Sequence, residues 1–303
     1  MSDLGEPVII ASANGLAGVD AAWEILAGGG SVVDAVEAAV RLVEDNPDDH
    51  TVGYGGYPNL VGEVELDASI MEGATRRAGA VGALRGYRAA ITVARAVMER
   101  SPHVLIAGEG AARLAREIGL LEEDLLTDEA AATWRTGIPD GDHPMLAAAR
   151  LATDPDHAAG TVNVLVRDGA GRMASAVSTS GWAWKYPGRL GDSPVIGAGN
   201  YCDDRYGAAA CTGWGELAIR ASTARSLVVA LAAGVALPDA GRRALDDLAG
   251  LGEAPDHITM HVVALDANGG HAAFSTQEAT MYAVRTLAMA AAELVPRTVV
   301  RLS

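Results

Sequence analysis

Near the middle of the chain, two runs in which apolar residues alternate with others, residues 161–167 and 173–178, flank the turn Asp168-Gly169-Ala170-Gly171. A period of two reads as strand, and Asp and Gly between two such runs read as a hairpin. No other feature constrains the fold as much, because an antiparallel hairpin rules out a purely parallel sheet. It also fixes a neighbourhood. The second strand returns beside the start of the first, so Thr179 is expected next to Thr161.

Ahead of the hairpin, strands and helices alternate. Residues 8–11 read as a strand. A helix is expected from Ser31, as N-cap, to about Glu44, with Val32, Val33, Val36, Val40 and Val43 on its apolar face. The Gly-rich loop 53–58 leads into a β-rich stretch at 61–71. Helices are expected at 89–100 and 109–118, with a short buried strand at 104–107 between them. The pattern weakens over 131–159, where Gly, Pro, Asp and His gather at 137–144 as an exposed loop. Beyond the hairpin come helices at 216–233 and 239–251 and strands at 258–265, 271–276 and 281–284. Sheets covered by helices on their outer faces fit this order.

Composition narrows the function. Half of the 303 residues are hydrophobic and 20% are charged, enough for a substantial folded core. The formal charge of −16 argues against nucleic acid and anionic membrane as partners, since both demand clustered Lys and Arg. Residues 1–13 carry no signal-peptide pattern and no apolar run approaches membrane-spanning length, so a cytoplasmic location is expected. Cys202 and Cys211 lack metal-ligand spacing and read as buried small hydrophobes. No metal or other cofactor is expected. Lys185 is the sole lysine, so recognition of carboxylates falls to Arg.

Two hydroxyls, Thr161 and Thr179, thus meet at one end of a sheet. A Thr at a newly made chain end carries its own α-amine, which can serve as general base for its hydroxyl. Thr at a strand start is also common for its β-branching alone. Arg189 and Asp192, in the loop Pro187-Gly188-Arg189-Leu190-Gly191-Asp192-Ser193-Pro194, are close enough for a surface ion pair. Thr212-Gly213-Trp214-Gly215 reads either as a strand ending in a turn or as a hydroxyl and backbone N–H presented to a developing oxyanion.

Taken together and in order, these segments resemble one family. Val33-Asp34-Ala35-Val36-Glu37, Val43-Glu44-Asp45-Asn46-Pro47, Val52-Gly53-Tyr54-Gly55-Gly56-Tyr57-Pro58, Gly188-Arg189-Leu190-Gly191-Asp192-Ser193-Pro194 and Gly197-Ala198-Gly199 are similar to the glycosylasparaginase and isoaspartyl peptidase family, the plant-type asparaginases. The similarity runs from Ala21 to Phe274 and is strongest to the glycosylasparaginase branch. It implies an α+β fold, a four-layer αββα sandwich of the N-terminal-nucleophile hydrolase type. It implies a precursor that cuts itself between Gly160 and Thr161, giving halves 1–160 and 161–303 of one structural domain.

The resemblance also implies roles. Thr161 attacks the side-chain amide of a small-molecule β-aspartyl substrate, and Thr179 orients it. Arg189 anchors the substrate α-carboxylate, Asp192 the α-ammonium, and the Gly215 carbonyl adds a contact to that ammonium. The Thr212 hydroxyl and Gly213 N–H form the oxyanion hole, and a dimer of cleaved αβ heterodimers is expected. The chain departs from the family in three places. Gly160 precedes the nucleophile in His157-Ala158-Ala159-Gly160-Thr161, as in the isoaspartyl peptidase branch. Asn163 stands where Gly is usual, and Ala11-Ser12-Ala13-Asn14 lacks the usual Trp. Trp182 and Trp184 each read first as a buried core Trp, although on alternate positions they could supply an aromatic wall in its place. Hydrolysis of a glycosylasparagine-like amide is the leading expectation. Isoaspartyl dipeptidase and L-asparaginase activity, a specialised β-aspartyl amide, or a non-catalytic ligand-binding homologue with Asn163 blocking cleavage are the alternatives.

Overall fold

A computed structural model of the chain describes residues 5–137 and 160–302. Ahead of the hairpin come β1 (Val8–Ser12), α1 (Leu16–Ala27), α2 (Val32–Glu44), β2 (Leu66–Glu72), β3 (Ala78–Leu84), α3 (Ala90–Arg100), β4 (Leu105–Ala107), α4 (Glu109–Glu117) and α5 (Asp128–Gly137). The hairpin itself is β5 (Val162–Arg167) and β6 (Met173–Thr179). After it follow β7 (Asn200–Asp203), β8 (Gly207–Gly213), α6 (Gly215–Ala221), α7 (Thr223–Ala232), α8 (Leu237–Ala249), β9 (Met260–Asp266), β10 (His271–Ser275), β11 (Met281–Thr286), β12 (Glu293–Pro296) and β13 (Thr298–Val299).

These strands form an eight-stranded sheet in the order β12-β11-β1-β5-β6-β2-β3-β4 and a five-stranded sheet in the order β13-β10-β9-β8-β7. The hairpin lies at the centre of the larger sheet. Alternation along its strands sorts side chains into two cores. Val162, Val164 and Val166 pack with the helices α1 to α4, whereas Leu165 faces Ala208, Ala210 and Val263 of the smaller sheet. A third core joins Leu227 and Leu245 of α7 and α8 to Cys211, Val262 and Phe274. Both cysteines are buried and unbridged, as expected.

Helix α2 shows which forces set the elements. Ser31 caps it through a reciprocal box, its Oγ accepting from the Asp34 N–H while Asp34 accepts from the Ser31 N–H. Such a box contributes about 1 kcal/mol. Val32, Val33, Val36, Val40 and Val43 are all buried, each worth about 1.5–3 kcal/mol of transfer free energy, so the stripe outweighs the cap.

Several elements differ from expectation. Helix α1 has no clear apolar stripe, and Gly18 lets it cross α2 closely, where a Cβ would fall 2.2 Å from the Ala39 carbonyl oxygen. Strand β3 is Ala- and Gly-rich without alternation, buried on both faces and pressed against α3. The β-rich stretch begins only at Leu66. The single helix expected at 216–233 is two, broken at Ser222, whose φ is 50°. Helix α5 extends to Gly137 where a weakening pattern was read, and β7, β12 and β13 carried no sequence signal. The remainder of the expected loop, 138–144, and His157-Ala158-Ala159 lie outside the described residues.

Candidate active site

Strand register sets the first half of the site. Val162 pairs with Ser178, so Thr161 precedes β5 where Thr179 ends β6. The Thr179 hydroxyl donates to the Gly160 carbonyl at 2.7 Å and accepts the Gly181 N–H at 2.9 Å. Gly160 is pressed against Thr51, and a Cβ at this position would fall 2.3 Å from the Thr51 Oγ1. Only glycine fits there without displacing Thr51. The expected meeting of the Thr161 and Thr179 segments is observed.

The loop bearing Arg189 and Asp192 is held by acidic residues at the start of β2. The Glu65 carboxylate accepts the Gly188 N–H at 2.9 Å, and the Asp67 carboxylate accepts the N–H groups of Gly191 at 3.2 Å and Ala83 at 2.8 Å. Lys185 is buried and donates from Nζ to the Glu65 carbonyl at 3.0 Å, and burial pushes its pKa down. The surface ion pair expected between Arg189 and Asp192 is not formed. Arg189 instead makes a two-pronged pair with Glu216, from Nε at 2.9 Å and Nη2 at 2.8 Å. Its guanidinium carbon lies 4.8 Å from the Trp182 ring centre. Asp192 is buried, and its Oδ2 has no hydrogen-bond partner among the described residues. Burial lifts its carboxyl to about 7, against the opposing pull of the Arg189 charge. Such a group gains most from a cationic partner brought by a ligand.

Gly215 closes this corner. A Cβ there would sit 2.8 Å from the Asp192 Oδ1 and 3.3 Å from the Arg189 Nη2, so the α6 start and the 188–192 loop are in close contact. Gly213, at the end of β8, has φ 119°, and the Trp214 N–H donates to the Thr259 carbonyl at 2.8 Å. Thr212 is buried on the face that Ala208 and Ala210 turn to the larger sheet. Gly181 links the two groups, bonding Thr179 on one side while a Cβ on it would lie 3.4 Å from the Arg189 Nη1.

Trp184 is the buried core residue expected, and the two indoles do not form a paired wall. Trp182 is half-buried against Arg189 and Trp214, with the two indole rings 6.2 Å apart. Trp184 has φ 58°, which turns it away into a separate cluster with Leu60, Ala183, Tyr57 and Trp134. A left-handed residue breaks the alternation that extended backbone would impose.

Asn163 is accommodated by Ser12. Its Oδ1 accepts the Ser12 N–H at 2.9 Å, and the Ser12 Oγ accepts the Asn163 N–H at 3.0 Å. Sequence reading missed Glu216, Glu65, Asp67 and Ser12 as parts of the site. The Glu65–Asp67 spacing of two places both carboxylates on one face of an extended segment, a signal that could have been found.

A match to a family model described as asparaginase covers residues 11–294. The chain belongs to the asparaginase family. Among its relatives, the N(4)-(β-N-acetylglucosaminyl)-L-asparaginase of Elizabethkingia miricola is 35% identical over 92% of this chain and 81% of its own length. The mouse isoaspartyl peptidase/L-asparaginase is 39% identical over 74% of this chain and 67% of its own. The plant-type L-asparaginase of Pyrococcus furiosus is 39% identical, with 79% and 78% covered. The chain is thus an asparaginase-family amidohydrolase, of a family that acts on small-molecule amides. Identity alone does not sort it among the named branches, which lie within a few per cent of one another. Among the described residues, no helix is long and apolar enough to cross a membrane.

Proposed function

We propose that the chain is a self-cleaving N-terminal-threonine amidohydrolase that releases aspartate from N4-substituted asparagine. In maturation the Thr161 hydroxyl oxygen bonds to the Gly160 carbonyl carbon, the C–N bond breaks and the proton passes to the freed amine. Water then hydrolyses the resulting ester to the Gly160 carboxylate and the Thr161 hydroxyl. The observation that carries this reading is the Thr179 hydroxyl donating at 2.7 Å to the carbonyl that would be attacked, where it can stabilise the developing oxyanion. In turnover the Thr161 α-amine takes the hydroxyl proton as the oxygen bonds to the substrate side-chain carbonyl carbon, the C–N bond breaks with that proton passing to the leaving amine, and water hydrolyses the ester to aspartate and free Thr161.

The Thr212 hydroxyl and Gly213 N–H are assigned to the oxyanion, Arg189 to the α-carboxylate, and Asp192 with the Gly215 carbonyl to the α-ammonium. Contact among Arg189, Asp192 and Gly215 supports a zwitterion site. Helices, sheet, sheet and helices stacked through three apolar cores support the four-layer reading. Assembly as a dimer of cleaved heterodimers belongs to the same proposal.

Isoaspartyl dipeptidase activity is the second reading. Gly160 favours it, as does the exposed Ala13 in the segment where a glycosylasparaginase Trp is usual. Intact mass of fresh protein and of Thr161→Ala tests the nucleophile: two fragments are expected in the first and one chain in the second. The cut protein should release aniline from aspartyl anilide, and uncut chains in both samples would support a non-catalytic homologue. Relative turnover of glycosylasparagine and a β-aspartyl dipeptide separates the two substrate classes.

A further inference from the structure

A chain of side-chain hydrogen bonds runs from one side of the Gly160–Thr161 bond to the other through residues with no role above. Asn163 and Ser12 exchange two bonds, each using a backbone N–H of one and a side-chain oxygen of the other. The Ser12 hydroxyl donates to the Asn14 Oδ1 at 2.6 Å, and the Asn14 Nδ2 donates to the Asp49 Oδ2 at 2.8 Å. The Asp49 Oδ1 accepts both the Thr51 N–H at 3.0 Å and the Thr51 hydroxyl at 2.5 Å. Thr51 then abuts Gly160 with its side chain and accepts the Ser180 N–H at its carbonyl, at 2.7 Å. The chain thereby starts two residues after Thr161 and ends on Gly160.

We infer that Asp49 is a positioning residue for maturation, the hub of a strap that clamps the backbone on both sides of the bond to be cut. This rests on the proposal that Gly160–Thr161 cleaves itself. Attack by a hydroxyl on the carbonyl immediately before it requires the two residues to be held close to reacting geometry, and small displacements there are costly in rate. Asn163 holds the downstream side through Ser12. Thr51 holds the upstream side. Asp49 is where the two halves join, because its carboxylate accepts from Asn14 on one oxygen and from Thr51 on the other, and among the side chains of the strap it alone has no donor. Asn163, one of the three departures from the family, is therefore an anchor of the strap.

The polarity of the strap gives a specific test. In Asp49→Asn, the side-chain oxygen must still serve Thr51, so its NH2 either meets the NH2 of Asn14 or forces the Asn14 amide to flip, which leaves the Ser12 hydroxyl proton without its acceptor; either way the chain loses a bond. In Asn14→Asp, two carboxylates meet. In the double swap Asn14→Asp/Asp49→Asn, the new Asn donates to the new Asp, which also accepts the Ser12 hydroxyl. Every bond is restored with its direction between the two positions reversed.

The experiment follows the splitting of freshly translated full-length chain by intact mass against time, for wild type, both single variants and the swap. Each single variant is expected to lengthen the half-time on the order of tenfold or more, since charge-assisted bonds are lost. The swap is expected to return it to within about threefold of wild type. Melting curves in a Thr161→Ala background, where nothing is cut, should place all of these variants as folded chains. Wild type that splits while Asp49→Asn splits equally fast would overturn the strap alone. So would slow singles that the swap does not recover. A wild-type chain that never splits would overturn the self-cleavage reading and the strap with it.

Discussion

At Asp192 a single carboxylate has been taken out of water without a full set of partners, and its chemistry follows from that. Burial raises its carboxyl from 3.8 to about 7, with Arg189 opposing the rise. A group whose folded value is raised is neutral below that value, and a neutral acid cannot counter an ammonium. Affinity for the zwitterion should therefore be full above about pH 7 and weaken as pH falls through it. Inhibition by L-aspartate isolates this, because the product of the proposed reaction needs no base to bind. Its inhibition constant is expected to rise about tenfold per pH unit below 7. In Asp192→Asn it should be weak, on the order of a hundredfold above wild type, and flat with pH. A wild-type constant that does not change between pH 5 and 8 would remove Asp192 from the ammonium site.

At the scale of an element, α2 carries its own titrating group on the helix side of the larger sheet. Glu44, the last residue of α2, is fully buried and accepts the Ser178 hydroxyl at 2.7 Å and the Ile91 N–H at 2.9 Å. Burial lifts its carboxyl to about 8, with these two donors and Arg41 pulling the other way. The native state then holds a proton that the unfolded chain releases near 4.5, so stability falls as pH rises from 4.5 to about 8. Glu44→Gln keeps the acceptor and removes the charge. Its melting midpoint should overtake wild type progressively across that window. Glu44→Ala strands two buried donors and should cost about 2–5 kcal/mol near pH 4.5, measured by urea titration, with the cost shrinking as pH rises toward 8 and the wild-type carboxyl ionises. A Gln variant with a pH-independent difference would show that Glu44 does not titrate there.

For the whole molecule, the larger sheet interleaves the two sides of the proposed cut. Strands β1, β2, β3 and β4 precede Gly160, β5, β6, β11 and β12 follow it, and β1–β5 and β6–β2 pair across the divide. Cleavage would break one bond and leave the ladders and the cores between them in place. The two fragments should co-elute on size exclusion in native buffer and separate only in denaturant. Either half made alone would expose the edges and apolar faces its partner covers, and should be insoluble. Fragments that part without denaturant would contradict this.

The hairpin, the capped helix α2, the buried cysteines and the proximity of Thr179 to the residues around the proposed cut were legible from sequence, because each rests on local periodicity or on the geometry of a single turn. The proposed zwitterion corner was legible only through resemblance. Its contacts join residues 65–67, 185–192 and 213–216, and no local pattern encodes their meeting. Tertiary structure decided that Arg189 pairs with Glu216, that Trp184 turns away from Trp182, and that Asn163 is held by Ser12 at the far end of the chain. It also decided the strands rich in Ala and Gly. There, burial on both faces and close helix crossings select small residues, and they erase the alternation by which a strand is recognised.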